Sequence, residues 1–379
     1  MGDAAWIDSM GGMAEVAAAL AASDWHAIDT ESNSMYVYRE RVCLVQVNAG
    51  GHLFVIDPLA LPPGPEALAP LKAALEDPSK ITWLHGGEYD VACLRRDYQI
   101  QMRAVWDTQQ AASMLGWEKT GYGAVVERVT GVALAKGHAD YDWATRPLDP
   151  AALRYAIDDV VHLPVVAEAI KQMVADADLG DEVEIANQAV EAAGWSGGFD
   201  PAGFWKIKGA RDLSPKSLPL LAALYRWRDG LAQERNLPPG RLINNEFLAS
   251  LANHAPTNYG LLKKLGARSW FLTEFGDRLI TEIKRALDQP DEVPARPRAR
   301  EVEDIERTRE TRLKDWRRGE AERRAVPLQV VLPAKALEFL KQHGANDLSV
   351  APQLGPKRIG LYGDKLAQLC RERPGDAGG

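Results

Sequence analysis

The sequence predicts an α/β domain, in which helices flank a mixed β-sheet, followed by an all-helical region. Three observations support this fold class. Short apolar segments near the N-terminus have the length and composition of β-strands, helical and strand patterns alternate from residue 61 onward, and only helical patterns remain beyond residue 204. The chain has 379 residues, which is long for one domain and suits two or three.

The predicted sheet begins with three short strands, which we expect to be antiparallel neighbours. They cover residues 25–31, 42–48 and 52–57, and Gly50-Gly51 supplies the tight turn between the second and the third. The proline-rich stretch 61–65 then interrupts the chain. Beyond it, the pattern predicts a helix over 66–76, a fourth strand over 81–86, and helices over 88–98, 108–116, 121–130 and 150–177.

Two changes in composition divide the chain. Residues 194–204 are rich in glycine, and residues 289–300 are rich in proline and arginine. These breaks predict an α/β domain over 1–204, a helical domain over 205–290, a linker with a charged helix over 291–325, and a short third helical domain over 326–379.

The composition is that of an ordinary globular protein, with 46% apolar residues. No uncharged apolar run reaches 18 residues, and the N-terminus lacks a basic segment followed by an apolar core, so neither a membrane span nor a secretory signal is predicted. The three cysteines, Cys43, Cys93 and Cys370, are scattered and never form C-x-x-C. This pattern argues against a disulfide framework and a zinc site, and it predicts a cytoplasmic protein.

The net charge of −8 hides an asymmetry. Residues 1–204 carry 13 basic and 30 acidic side chains, giving −17, whereas residues 205–290 carry 14 and 8, giving +6. Residues 291–379 carry 18 and 15, giving +3. The split suggests an acidic module beside one that attracts polyanions, although two unrelated domains would produce the same numbers.

The first candidate site lies at the end of the first predicted strand, where Asp29 and Glu31 stand at positions i and i+2. Alternate side chains of a strand share a face, so these two carboxylates emerge close together. They repel each other unless a cation lies between them, and hard cations such as Mg²⁺ bind oxygen ligands. The alternative is that the strand simply ends here and both acids face water.

Further acidic positions complete this candidate site. Asp90 lies on the first turn of a helix that follows a strand and a Gly-Gly turn, and Tyr155 and Asp159 share one helical face at i and i+4. Four carboxylates from three elements suit two divalent cations about 3.5–4 Å apart, which promote in-line displacement at phosphorus. Because an ordinary tyrosine has a pKa of about 10, Tyr155 suits orienting the attacking water better than acting as a base. Taken alone, this pair could equally be a core phenol and a surface charge.

The combination of motifs resembles the tyrosine subclass of DEDD exonucleases, and most closely the ribonuclease D family. The similarity covers most of residues 20–175 and rests on AIDTESNSMYVYRERVCLVQV, WLHGGEYDVACLRRDY, YDWATRPLDPAALRYA and RYAIDDVVHLPVV. The sister subclass carries histidine five residues before the last Asp, where this chain has Arg154. Two departures from the family wording, Ser32 after the first motif and residues 140–142 before Trp143, bear on the substrate more than on the chemistry.

The resemblance implies a ribonuclease-H-like fold and hydrolytic removal of nucleoside 5′-monophosphates from RNA 3′ ends, such as those of tRNA precursors, with two Mg²⁺ or Mn²⁺ ions. It implies that Asp29, Glu31, Asp90 and Asp159 are metal ligands and that Tyr155 positions the water. The expected partner is structured RNA with a single-stranded 3′ end, and the expected state is a monomer.

Residues 210–288 resemble an HRDC domain, through LYRWRDGLAQERNLPPGRLINNEFLASLA. Basic side chains in this region form a plausible phosphate-binding footprint, or else a solvated face that keeps a helical bundle soluble. They are Arg226, Arg228, Arg235, Arg241, Lys263, Lys264 and Arg268. Residues 326–372 bear a weak resemblance to a second copy.

Other residues near the predicted site have two readings. Trp143 and Tyr141 could stack on terminal bases or pack in the core, and Arg146 could contact a phosphate or cap the loop at Pro147. His85 follows a strand and is expected to be a hydrogen-bonded structural histidine.

Two rival functions remain at the level of sequence. Chemistry at phosphorus does not itself recognise a 2′-hydroxyl, so the substrate could be a DNA 3′ end. The chain could also be a nuclease that has lost activity and serves as an RNA-binding scaffold, although all five expected side chains are present.

Overall fold

The computed structural model describes residues 4–135, 137–138, 140–296 and 303–371. They form two compact units, one from Met1–Ser32, Val42–Trp195 and Glu301–Gly379, and the other from Asn33–Arg41 and Ser196–Arg300. Residues 297–302, in the predicted linker region, and 372–379, at the end of the predicted last domain, lie outside the described residues.

The sheet of the first unit has six strands: β1 (Ala5–Ile7), β2 (Trp25–Ser32), β3 (Val42–Ala49), β4 (His52–Ile56), β5 (Ile81–Leu84) and β6 (Val105–Asp107). Their order in the sheet is β1-β4-β3-β2-β5-β6. β2, β3 and β4 are antiparallel neighbours, and the other pairs are parallel. Gly50 and Gly51 have φ of 58° and 95° in the turn between β3 and β4, as that tight turn requires. The mixed sheet confirms the predicted fold class.

Among the described residues before 196, eight α-helices accompany the sheet: α1 (Met10–Ala22), α2 (Ala69–Leu75), α3 (Glu88–Tyr98), α4 (Thr108–Met114), α5 (Tyr122–Thr130), α6 (Pro150–Val161), α7 (Leu163–Asp176) and α8 (Gly180–Glu191). α1, α2 and α3 share a core with Ile28 of β2. Ala27, the neighbouring residue, packs instead with Val160 and Leu163 of α6 and α7. Because side chains alternate along a strand, Asp29 and Glu31 share the face of Ala27.

The structure departs from the predicted elements in two ways. β1, α1, β6 and α8 were not predicted; β1 and β6 are strands of three residues, and α1 is mostly small residues with little periodic contrast. The single helix predicted over 150–177 is two helices, with His162 between them and Pro164 in the first turn of the second. Proline is favoured there because its missing N–H is not needed in the first turn.

The second unit is helical, with α9 (Ser217–Arg235), α10 (Pro239–Leu242), α11 (Asn245–His254), α12 (Tyr259–Lys264) and α13 (Ser269–Asp288) around one core. The segment Asn33–Arg41 packs against these helices. The Tyr38 hydroxyl donates to Asp229 Oδ1 at 2.9 Å, and the Arg39 N–H donates to Asn236 Oδ1 at 3.0 Å. The chain therefore enters the second unit directly after β2 and returns at β3.

The C-terminal helices α14 (Asp304–Arg324), α15 (Leu328–Val331), α16 (Ala334–His343) and α17 (Gly355–Cys370) form a core of their own within the first unit. The Gln329 amide donates to the Ser113 carbonyl at 2.9 Å, and Lys357 pairs with the buried Glu182 at 3.1 Å. The described part of residues 326–379 therefore packs against the α/β domain. Among the described helices, none is long and apolar enough to cross a membrane.

Candidate active site

The site begins on β2, an interior strand that pairs with β3 on one side and with β5 on the other. Asp29 and Glu31 pair in register with Gln46 and Leu44 of β3, and the register shifts after Glu31. The antiparallel ladder holds the backbone of both acids, so their side chains leave the sheet on one face as the sequence predicts.

Helix α6 supplies the third acid and the phenol. Its N-terminus is capped by Asp149, whose side chain accepts the Ala151 N–H at 2.7 Å. The helix lies on the sheet through Ala152, Ala156 and Val160, and the Asn48 amide donates to the Val160 carbonyl at 3.1 Å. This packing carries Tyr155 and Asp159 to the face of β2 that bears the first two acids.

The carboxylates of Asp29, Glu31 and Asp159 converge. One oxygen from each lies within 4.8 Å of the others, a spacing at which one cation can contact all three. The surrounding pocket has a volume of about 310 Å³. Its walls are Ile28, Asp29, Thr30, Glu31, His85, Gly86, Tyr89, Asp90, Tyr122, Tyr155, Asp159 and Leu163.

Asp90 lines the same pocket from the first turn of α3 and is buried. It accepts a hydrogen bond from the Thr30 hydroxyl, so it is tied to the strand between the two acids of β2. The preceding turn is held by Asp107, which accepts the N–H groups of Gly86 at 3.1 Å and Gly87 at 2.8 Å. All four acids predicted from the sequence therefore meet in one pocket.

The protonation of these acids reflects burial among like charges. Burial, and then Asp90, Asp159 and Glu31, raise the pKa of Asp29 well above its ordinary value. Burial with Asp159 and Asp90 raises the pKa of Glu31 to about 9, and burial with Asp158 and Asp90 raises the pKa of Asp159 to about 7. Burial also raises the pKa of Asp90 to about 6, against the hydrogen bond from Thr30. A bound divalent cation would reverse these shifts, because it favours the ionised form of each acid.

Tyr155 lines the pocket and stays protonated at neutral pH. Burial, and then Asp159, Glu31 and Asp29, raise the pKa of its hydroxyl above the ordinary value. The ring lies 6.2 Å from Trp143 and 5.5 Å from His138, centroid to centroid. The hydroxyl is therefore a hydrogen-bonding group and not a base.

Tyr122 is a pocket residue that was missed at the level of sequence. Its hydroxyl donates to the Asp158 carbonyl at 3.1 Å, and its ring lies 5.1 Å from His85. His85 Nδ1 lies 2.8 Å from the Thr108 hydroxyl, so His85 is hydrogen-bonded as predicted, and it lines the pocket near which it was expected. Tyr122 follows a glycine at a helix start and carries no signal beyond that, because only the packing of α5 brings it to the site.

Two residues predicted to contact nucleic acid, Trp143 and Arg146, contact other parts of the protein. Trp143 is only 2% exposed and packs in a buried cluster, so it offers no face to a base and does not match the predicted stacking role. Arg146 binds both carboxylate oxygens of Asp57 at 2.6 and 2.7 Å and donates to the Cys43 carbonyl at 2.9 Å. This arginine is therefore engaged in holding the loop before α6, which matches the alternative stated for it.

The basic residues predicted to contact phosphate divide into two groups. Members of the first have protein partners: Arg228 is buried and donates to the Ile243 carbonyl and to Asn245, while the exposed Arg226 and Arg235 pair with Asp291 and Glu274. The second group is Arg241, Lys263, Lys264 and Arg268, which are all exposed. Arg241 and Arg268 line a cavity of about 420 Å³, and the Arg241 guanidinium lies 4.3 Å from the centre of the Tyr36 ring.

Comparisons with known proteins agree with this architecture. A family model described as 3′-5′ exonuclease matches residues 4–175, and an HRDC domain model matches residues 217–283. The fold and the acidic pocket thus define a 3′→5′ exonuclease with a helical HRDC domain.

Comparison with individual proteins identifies the family of the chain more specifically. Ribonuclease D of Zymomonas mobilis is 34% identical over 295 residues, covering 75% of this chain and 73% of the relative. Ribonuclease D of Escherichia coli K12 is 30% identical over 280 residues, covering 72% of each. The chain belongs to the ribonuclease D family and is a 3′→5′ exoribonuclease, with nucleic acid as its partner. Divalent metal use follows from the family and from the carboxylate cluster.

Solved structures show the same fold. Escherichia coli RNase D, described as an exoribonuclease involved in structured RNA processing, superposes with a TM-score of 0.73 at 24% identity, covering 98% of this chain and 100% of that one. The catalytic core of RRP6 from Trypanosoma brucei gives 0.68 at 21% identity, covering 76% of this chain and 80% of that core.

Proposed function

We propose that this chain shortens the single-stranded 3′ ends of structured RNA precursors, such as those of tRNA, by hydrolysis assisted by two divalent ions. The observation that carries the proposal is the convergence of one oxygen each from Asp29, Glu31 and Asp159 within 4.8 Å. Asp90 lines the same pocket and would be a further carboxylate ligand for the ions.

The donor set suits Mg²⁺ or Mn²⁺, because all four groups are carboxylates and hard cations prefer oxygen. When bound, a pair of such ions activates the attacking water and stabilises the leaving oxygen. Asp29, Glu31, Asp90 and Asp159 would hold them. Without an ion, burial raises the pKa values of all four groups, and the neighbouring carboxylates raise those of Asp29, Glu31 and Asp159 further.

Tyr155 would orient the water that attacks the terminal phosphodiester. Its hydroxyl is one helical turn from Asp159 and is protonated at neutral pH, so it can donate one hydrogen bond and accept another. The water oxygen bonds to phosphorus, the bond from phosphorus to the 3′ oxygen breaks, and the leaving oxygen takes up a proton. The product is a nucleoside 5′-monophosphate.

The exposed basic residues of the HRDC unit would hold the RNA upstream of the cleaved end. Arg241, Lys263 and Lys264 are exposed, and Arg226 keeps half of its side chain exposed beside Asp291. Such contacts bind phosphates without reading sequence, which suits an enzyme that shortens many precursors.

The test uses RNA labelled at its 5′ end, incubated with purified protein and Mg²⁺ or Mn²⁺. We expect a ladder that shortens from the 3′ end and needs added metal, and Tyr155→Phe should lower kcat by about 10²-fold while the RNA is still bound. A DNA oligonucleotide of the same sequence in a parallel lane tests the rival substrate. Equal cleavage of both would overturn the RNA assignment, and cleavage in EDTA would overturn the role of the metal.

We also propose that the enzyme acts in the cytoplasm as a monomer. Cys43, Cys93 and Cys370 are all buried thiols, as expected of a protein kept in a reducing compartment. Light scattering after size exclusion should give the mass of one chain, 41.6 kDa. A mass of twice that value would contradict the second half of the proposal.

A further inference from the structure

Two exposed aromatic side chains lie together at the edge of the catalytic pocket. Tyr89 lines the pocket next to Asp90 and is 43% exposed, and Trp195, four residues beyond α8, is 40% exposed. Their ring centroids are 6.2 Å apart with the planes inclined at 61°. A single exposed aromatic residue needs no explanation, whereas exposed apolar surface gathered beside a catalytic pocket indicates a binding surface.

Both rings are held in place. The Tyr89 hydroxyl lies 3.0 Å from the Ser32 hydroxyl, directly after the acids of β2. The Arg96 guanidinium lies 4.1 Å from the centre of the Trp195 ring and is anchored by two contacts with Asp97, at 2.6 and 2.9 Å. Asp97 in turn accepts the Val42 N–H at 2.9 Å.

The segment that carries Trp195 is also anchored to α3. Arg95 donates to the carbonyl of Glu191 at 2.7 Å and to that of Ala192 at 3.3 Å. Rigid aromatic rings lose little entropy when a ligand stacks on them, so this pair is suited to binding and not only to packing.

The size of the pocket indicates which part of the substrate reaches these rings. A volume of about 310 Å³ is at the lower end for a small-molecule site, which suits the terminal nucleotide. The next nucleotide would then lie at the rim, beside the exposed Tyr89 and Trp195. Bases stack on aromatic side chains whatever their sequence.

We propose that Tyr89 and Trp195 bind, by stacking, the base of the penultimate nucleotide of the RNA strand. This inference deepens the proposed function and rests on it. It implies that the enzyme needs at least two unpaired nucleotides at a 3′ end, because a paired penultimate base is not available for stacking.

The first test measures stacking without cleavage. The Asp29→Asn protein, in EDTA, is titrated with an oligonucleotide that carries 2-aminopurine at the penultimate position. Stacking should quench its fluorescence, and adding Trp195→Ala or Tyr89→Ala should remove the quenching. Trp195→Phe should retain most of it. Quenching that survives both alanine substitutions would overturn the inference whether or not the chain cleaves RNA.

The second test uses the active enzyme and an RNA whose penultimate nucleotide lacks its base. For the unmodified protein, loss of the base should lower kcat/KM by about 5- to 140-fold, mostly through KM. Trp195→Ala should cause a similar loss on normal RNA and little further loss on the abasic RNA, because both changes remove the same contact.

Trp6→Ala is the matched control for both tests. Trp6 is also an exposed tryptophan with an arginine against its ring, since it is 37% exposed and Arg146 lies 5.6 Å from its centre. It does not line the pocket. A loss in Trp6→Ala equal to that in Trp195→Ala, or an unchanged abasic penalty in Trp195→Ala, would overturn the proposal. If the enzyme cleaves RNA but fails these tests, the stacking proposal is wrong and the proposed function remains. If the protein cleaves no RNA, the proposed function itself is wrong.

Discussion

The acidic pocket of the first unit brings like charges together, whereas the basic helices of the second unit pair opposite charges. In the pocket, Asp29, Glu31 and Asp159 are gathered at short distance and their pKa values are raised. In the helical unit, Arg235 and Arg278 each contact a carboxylate, at 2.8 and 2.7 Å. Bringing like charges together costs free energy that favourable interactions elsewhere in the fold must offset, so such a cluster indicates function. Paired opposite charges are explained by structure alone.

The same comparison separates residues within the helical unit. Arg228 and Arg241 look equivalent in the sequence, yet the first is 5% exposed and bonded to the protein interior, while the second lines an open cavity. Charge predicts nucleic-acid binding only for side chains that reach solvent.

The largest expected effect tests whether the gathered acids are functional. Asp159→Asn should lower kcat by at least about 10²–10³-fold, because it removes a charge that the transition state requires. Asp158→Asn is the matched control on the same helix, one residue away and outside the pocket lining, and it should keep most of the activity. Quenched-flow or steady-state assays on one RNA measure both, and equal losses would show that the position on the helix face does not matter.

The next prediction concerns the exposed basic residues. Replacing Arg241, Lys263 and Lys264 together by Gln should weaken RNA binding and lower the slope of log K against log salt by about 0.7 for each lost phosphate contact. Fluorescence anisotropy at several salt concentrations measures this slope. The paired Arg235 serves as the control, and Arg235→Gln should leave the slope within experimental error. An unchanged slope in the triple variant would assign RNA binding to other surfaces.

The third prediction concerns the metal-free protein. In the folded state, the pKa values of Glu31, Asp159 and Asp90 lie above the ordinary carboxyl value of about 4. The folded state therefore binds more protons than the unfolded state between about pH 4 and pH 9. The free energy of unfolding should therefore fall as the pH rises through this window.

Thermal unfolding in EDTA across that pH range measures the effect. Mn²⁺ at 100 times its Kd should raise the free energy of unfolding by about 2.7 kcal/mol and so offset the loss. Glu31→Gln should flatten the pH dependence and raise Tm in EDTA, since it removes one of the gathered charges. A metal-free Tm that rises steadily from pH 5 to pH 9 would contradict the electrostatic account of the pocket.

The smallest effects separate a buried arginine from an exposed one. Arg228→Ala leaves the Ile243 carbonyl and the Asn245 side chain without a donor and should cost about 1–3 kcal/mol of stability. Arg226→Ala removes a pair that is half exposed and should cost less than about 1 kcal/mol. Urea unfolding of the two variants compares them directly, and equal midpoints would show that the burial of Arg228 contributes nothing.

Much of the catalytic site could be predicted from local periodicity. Asp29 and Glu31 follow from the two-residue repeat of a strand, and Tyr155 and Asp159 from the four-residue spacing of a helix. Asp90 follows from its place after a strand and a Gly-Gly turn. These relations need only neighbouring residues, so they are present in the sequence and survive into the structure.

Contacts between distant segments could not be predicted in this way. Asp107 holds the turn before α3, Arg146 is bound to Asp57, and Trp143 packs against Tyr155, each across many residues of chain. The Tyr89–Trp195 pair joins segments more than 100 residues apart. None of these contacts is indicated by a pattern in the sequence around either residue.

The sequence by itself determined the fold class, most of the elements around the site and which face of β2 and α6 carries the acids, because periodicity and turn chemistry are local properties of the chain. Only the tertiary structure decided which charges are buried, paired or exposed, and which aromatic rings reach the pocket. The physical reason is that burial and pairing depend on neighbours contributed by other segments, and those neighbours exist only after the chain has folded.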